Sequence, residues 1–296
     1  MNKPHFNRKI GATILRFLMG FLIFKDFVIC FINSKYLFDR NGIVSYESYI
    51  DIVHFFNLNW LCIDFTKQYN VFIFCSLGIF FGFLFMLGIL QRLSAFILFF
   101  MIFIFKIRNL YTLDGADNVI SVLLPFFLFI ETYSLSEKYE GLKKKFYRKV
   151  SNIPGVVSVY FTYAVILQIC IIYFFAGLHK LQGETWREGT ALYYILNSED
   201  FSPTSLNTIF TSSIIVVKLA TWFTIIFQFL FPIFIFFKKT RLVTIFIGIL
   251  LHMGIFFLMK IDNFSLIMIS CYAVFFTDNQ YNVLTRAFST LKIKYA

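Results

Sequence analysis

Polar and charged residues divide the chain into eight apolar runs, at residues 11–32, 70–90, 92–107, 118–131, 156–178, 213–237, 242–259 and 263–277. A helix rises 1.5 Å per residue, so about 20 apolar residues cross a hydrocarbon core of ~30 Å. Each run therefore predicts a membrane-spanning helix, and the eight together predict an all-α polytopic bundle. The fourth and eighth runs are short, and Pro125 splits the fourth, which predicts either a half-helix or a thinned region of bilayer contact there. Between the first two runs, Asn41-Gly42 marks a turn. Beyond it Tyr49, Ile52, Val53, Phe55 and Phe56 recur at helical spacing beside Glu47, Asp51 and His54, the pattern of an amphipathic helix at a membrane surface. Such a helix suits a lid or a simple interfacial anchor.

The cations orient the bundle. With an even number of spans and the N-terminus in the cytoplasm, 16 of the 27 Lys and Arg residues fall on inside segments and 8 on outside ones. Positive charge favours the cytoplasmic side, so both termini are predicted inside. The segment 132–155, with its KKKFYRK run, then acts as a cytoplasmic topology determinant. Arg108, Asn109, Asp114, Asp117 and Asn118 fall in one outer loop, the residues after 178 in another, and His252 lies in the seventh run towards the same side.

Composition agrees with a bilayer setting. Hydrophobic residues make up 59% of the chain, 44 residues are Phe, charged residues are 15% and the mean hydropathy is +0.75. A soluble domain is nearer 45–50% apolar. Little length remains outside the runs for a separate soluble domain, which predicts one membrane domain over residues 1–296. The net charge of +11 fits cytoplasmic-face topology and anionic lipid, and nucleic-acid binding is not expected. Cys30, Cys62, Cys75, Cys170 and Cys271 show no CxxC spacing and four of them fall in apolar runs, as small buried hydrophobes do. No cleavable leader is predicted, because Arg16, Lys25 and Asp26 interrupt the first run.

Chemistry concentrates at residues 173–196, YFFAGLHKLQGETWREGTALYYIL, where a spanning run ends in His179, Lys180, Glu184, Trp186, Arg187 and Glu188. Ionisable groups at such a place are functional or serve as interface anchors. Lys180 is the candidate base. Its amine acts as one near neutrality only if burial or a neighbouring cation favours the uncharged form, while Glu184 and Glu188 would favour the ammonium. His252, in LLHMG inside an apolar helix, needs a polar partner, for which His179, Asp114 and Asp117 are candidates. His5, His54, His179 and His252 show neither HxxxH nor HxH spacing, so no metal is predicted. Phosphate-loop, dinucleotide and serine-hydrolase motifs are absent from the sequence.

AGLHKL with Trp186, Gly189 and Ala191, RNLYTLDGADN at 108–118, and LLHMGIFFLMKIDNFSLIMISCYAVFF at 250–276 together resemble the horizontally transferred transmembrane domain family. That family includes vitamin K-dependent gamma-glutamyl carboxylase, and the chain looks most like its small bacterial members, the sporulation-delaying protein B group. In the carboxylase the second lysine of an AGxKKL segment is the proposed base, and Lys180 stands at that position, with His179 in place of the preceding lysine. The carboxylase also uses a histidine in the preceding block, and residues 108–118 contain none. Glutamate carboxylation is therefore not expected.

The resemblance implies a bacterial cell-membrane factor that matures a secreted peptide precursor into a toxin, together with a partner like sporulation-delaying protein A. Lys180, His179 and His252 would carry the chemistry, and Arg108, Asn109, Asp114, Asp117, Trp186 and Glu188 would hold the substrate. A quinone-linked carboxylase or oxidase is the first rival and a transporter or toxin-immunity protein the second. The residues themselves specify no cofactor.

Overall fold

The computed structural model describes residues 7–135, 155–201 and 204–294, and among them every regular element is helical. The KKKFYRK run lies outside the described residues. Two compact units emerge, Met1–Thr162 with Phe276–Ala296, and Tyr163–Phe275.

The first unit is built from α1 (Lys9–Ile32), α2 (Ser34–Phe38), α3 (Tyr46–Phe55), α4 (Gln68–Leu87), α5 (Gln91–Arg108) and α6 (Gly115–Leu123). α1 packs along α4 because small residues let the backbones meet: a Cβ on Gly20 would lie 2.6 Å from the Cα of Met86, and one on Gly82 would lie 3.1 Å from the Cα of Phe24. Arg16 interrupts the apolar face of α1 without meeting lipid. It is buried, and its two terminal nitrogens donate to the carbonyls of Phe85 at 3.0 Å and Tyr133 at 2.9 Å. The first of these adds a second bond to a carbonyl that already accepts the Gly88 N–H in the last turn of α4, which closes on Gly88 at φ +73°.

α6 gives way at Leu124–Leu128 to a tighter 3₁₀ turn with Pro125 in its first positions, so the fourth run breaks where Pro125 splits it. The predicted surface helix is α3. Ser45 caps it by accepting from the Ser48 N–H at 3.1 Å. Tyr49 and Val53 face inward, while Phe55 and Phe56 are 78% and 62% exposed.

The second unit begins within α7 (Gly155–Gln182) and continues through the short helices α8 (Glu184–Arg187), α9 (Ala191–Asn197) and α10 (Ser205–Thr211) to α11 (Ile214–Phe234), α12 (Arg241–Met259) and α13 (Asp262–Cys271). A fully buried Asn207 ties the short helices down, its amide donating to the carbonyls of Leu196 and Leu258, each at 2.8 Å. The last helix, α14 (Asp278–Lys294), belongs to the first unit, where the Asp278 carboxylate accepts from the N–H groups of Lys9 and Ile10 at the start of α1.

α4, α7, α11 and α12 are long and apolar enough to cross a membrane, and at most 33% of the most apolar window in each is buried inside the protein. Their large apolar side chains face outward, as in a bundle solvated by lipid. The other four predicted spans are helical but differ in kind. α1 and α5 each carry at least three charged residues, and Gly115–Leu128 and Asp262–Phe275 are shorter apolar segments. Length and apolarity thus mark four candidate spans among the described residues. Cys30, Cys75, Cys170 and Cys271 are buried free thiols as expected, and Cys62 is exposed.

Candidate functional site

In the second unit the helical repeat of α7 places Tyr173, Gly177 and Lys180 along one face, at spacings of four and seven residues. Tyr173 is buried, with Phe231 of α11 stacked on it at 3.9 Å between ring centres and Phe227 edge-on at 6.0 Å. Gly177 keeps the helices close: a Cβ there would lie 3.3 Å from the Cβ of Gln228.

The Tyr173 hydroxyl lies 2.8 Å from Nε2 of His252 on α12 and also hydrogen-bonds the hydroxyl of Tyr272, just beyond α13. Gly248, one turn before His252, leaves room for the Tyr272 hydroxyl, which any Cβ at that position would strike. His252 is 2% exposed and packs edge-on against Phe264 at 5.5 Å. The expected partners of His252 are thus replaced. Its ring is held by Tyr173, and His179 is exposed one residue before Lys180. Adjacent helical residues point about 100° apart, which is why His179 and Lys180 do not share a face.

Lys180 sits at the end of α7, its Nζ 5.1 Å from the centre of the Trp186 ring on α8. Gly183 forms the bend, leaving a would-be Cβ 3.0 Å from the indole, so the tryptophan is folded back onto the lysine. Glu184, Arg187 and Glu188 are exposed, and among the described residues Lys180 makes no ion pair. Its charge lies within electrostatic reach of His252. Lys180, Trp186 and His252 are therefore brought together, while His179 and Glu188 stand at the exposed rim. Two buried polar atoms here have no hydrogen-bond partner among the described residues, Nδ1 of His252 and Oε1 of Gln228.

The remaining candidates belong to the first unit. Arg108 is fully buried and donates to the carbonyls of Val44 at 2.6 Å and Asp39 at 3.0 Å, with the rings of Phe38 and Tyr49 at 5.8 and 5.9 Å. It pins the stretch before α3 to the end of α5. Asn109 is also fully buried, and neither side-chain atom of its amide has a partner among the described residues.

Asp114 and Asp117 form a reciprocal cap on α6. Oδ1 of Asp114 accepts from the Ala116 N–H at 2.6 Å, and Oδ2 of Asp117 accepts from the Asp114 N–H at 2.9 Å. Asp117 also lines a cleft with Asp26, Phe27 and Cys30 of α1. Among the described residues no three His, Cys, Asp or Glu side chains gather in metal-binding geometry.

Sequence reasoning missed Tyr173, Gln228 and Tyr272, because a tyrosine or glutamine within an apolar run reads as an ordinary member of a core. One signal was available for Tyr173: it precedes Lys180 by seven residues, two turns along one helical face.

Helices with outward apolar faces around buried polar groups define an integral membrane protein. The family model of the HTTM domain matches residues 8–279, and the chain belongs to that family. Over 178 residues it is 28% identical to the sporulation-delaying protein SdpB of Bacillus subtilis (strain 168), an alignment covering 58% of this chain and 54% of that protein. The chain thus matches about half the length of this relative. No solved structure matches it.

Proposed function

We propose that the protein is a membrane factor for the maturation of an exported peptide, working from the extracytoplasmic face with Lys180 as base. What carries the reading is the setting of Lys180: a lysine with no acidic partner among the described residues, covered by Trp186 and within electrostatic reach of a buried His252. A lysine without a carboxylate is the one most readily used as a free amine. The similarity to a sporulation-delaying protein supports a peptide as the substrate.

In this reading Lys180 takes a proton from the peptide and passes it to solvent by way of His179 at the rim. His252 orients the reacting group, and Trp186 and Glu188 hold the peptide. Arg108, Asn109, Asp114 and Asp117 serve the fold of the first unit in this reading. The peptide precursor and a protein like sporulation-delaying protein A are the proposed partners, the membrane is that of a bacterial cell, and both termini lie in the cytoplasm.

Mass spectrometry of the peptide released by cells with and without the protein tests the function. The expected outcome is a mature product that appears only with the protein and carries no added carboxyl group. A gain of one carboxyl group on a glutamate would establish the carboxylase reading instead, and identical peptides from both strains would overturn a role in maturation. Topology is tested separately, in a Cys62→Ser background, by labelling a cysteine placed at Gln182 in intact cells. Labelling only after permeabilisation would contradict an outer site.

A further inference from the structure

The three-residue hydrogen-bond chain in the second unit determines which nitrogen of His252 carries the proton. A neutral imidazole has one donor and one acceptor, and a tyrosine hydroxyl has one hydrogen to donate. Protonating the ring would bury a cation with no carboxylate in contact, so the neutral form is the one to count.

If Tyr272 donates to Tyr173 and Tyr173 donates to Nε2, both hydroxyl hydrogens are used and one polar atom is left over, Nδ1 with its hydrogen. If Nε2 carries the hydrogen and donates to Tyr173, one of the two tyrosine hydrogens has no acceptor among the described residues. The Nδ1 lone pair is then unused as well. Each unpaired buried polar atom is costly, so the first arrangement wins by one such atom.

We infer that His252 presents Nδ1–H as a hydrogen-bond donor to an acceptor oxygen of the substrate, a carbonyl or a carboxylate, and that Tyr173 is the positioning residue that fixes this tautomer. The inference rests on the second unit being the reacting site, and it changes the part His252 plays there. A ring locked with its hydrogen on Nδ1 holds and polarises an oxygen; it is not a base at that atom. The proton-accepting task falls to Lys180 alone. Tyr272 completes the chain but does not set the tautomer, because Tyr173 can donate to Nε2 without it.

The test uses the full-length protein labelled with ¹⁵N-histidine, with the His252 resonances identified by their loss in His252→Gln. The wild-type ring should show a protonated Nδ1 and an unprotonated Nε2. Tyr272→Phe should keep that pattern, and Tyr173→Phe should let the ring redistribute between tautomers. A wild-type ring protonated at Nε2, or one that stays fixed in Tyr173→Phe, overturns the positioning role of Tyr173.

The acceptor oxygen is probed by titrating acetate and N-methylacetamide while following the Nδ1–H signal. A shift with acetate assigns a carboxylate, and a shift with N-methylacetamide assigns a carbonyl. No shift with either overturns the oxygen site even where the tautomer is as expected. Because these readouts follow the ring directly, a failed maturation assay would overturn the proposed function and leave the tautomer result intact.

Discussion

The buried titratable groups of the two units are bonded differently. In the first, Arg16, Arg108, Asp114 and Asp278 bond to the chain's own backbone, at helix ends and loop carbonyls. In the second, Tyr173, His252 and Tyr272 bond to one another through side chains and leave Nδ1 of His252 without a partner among the described residues. A charge bonded to carbonyls or N–H groups of its own backbone stabilises the fold. An unsatisfied buried atom costs stability, and such costs persist at sites of function. The contrast holds for the titratable groups; in the first unit Asn109, whose amide has no partner among the described residues, stands as its exception.

The largest effect expected from this contrast is on activity. His252→Gln should lower peptide maturation about 10²- to 10⁴-fold, the range for a positioned catalytic group, at unchanged protein level. A mild effect would make the second unit's polar cluster structural like the first.

Next comes Arg108→Leu, which strands the carbonyls of Val44 and Asp39. A cost of about 1–3 kcal/mol for each unpaired group should lower the thermal midpoint, while maturation per folded molecule is kept. Loss of maturation without loss of stability would return Arg108 to the substrate-binding set. Gly88→Ala should cost about 1–2 kcal/mol, because φ is +73° and the added Cβ displaces the Arg16 guanidinium. The smallest effect is that of Asp278→Asn, which keeps one of the two bonds to the start of α1 and removes the charge at the helix N-terminus. About 0.3–1 kcal/mol is expected by thermal unfolding, falling as salt is raised.

Much of the fold was legible because it follows from one dimension of the chain. The apolar runs set the helices, and Pro125 marked the break in the fourth run. Apolar length alone could not tell a run that carries charge, such as α1 with Arg16, from a lipid-facing one such as α4. That distinction depends on the carbonyls of Phe85 and Tyr133 reaching the guanidinium, residues 69 and 117 positions away.

The candidate site was legible where it is local. Trp186 meets Lys180 six residues away because Gly183 lets the chain bend. It was not legible where it is remote. His252 visibly needed a partner, but the one it has is 79 residues distant and is a tyrosine, a residue type that apolar helices carry for many reasons. Carboxylates were the natural expectation for a buried histidine, and Asp114 and Asp117 are engaged at the start of α6.

The most direct test of the second unit as the reacting site compares Lys180→Met with Lys218→Met. Both substitutions keep an apolar stem and remove a nitrogen. Lys218, on α11 beside Gly189, is exposed and outside the polar cluster. Measured as matured peptide per molecule of membrane-inserted protein, Lys180→Met should lose about 10²- to 10⁴-fold and Lys218→Met should stay near wild type. Equal and mild losses from the two would contradict the account and leave Lys180 as an interface anchor.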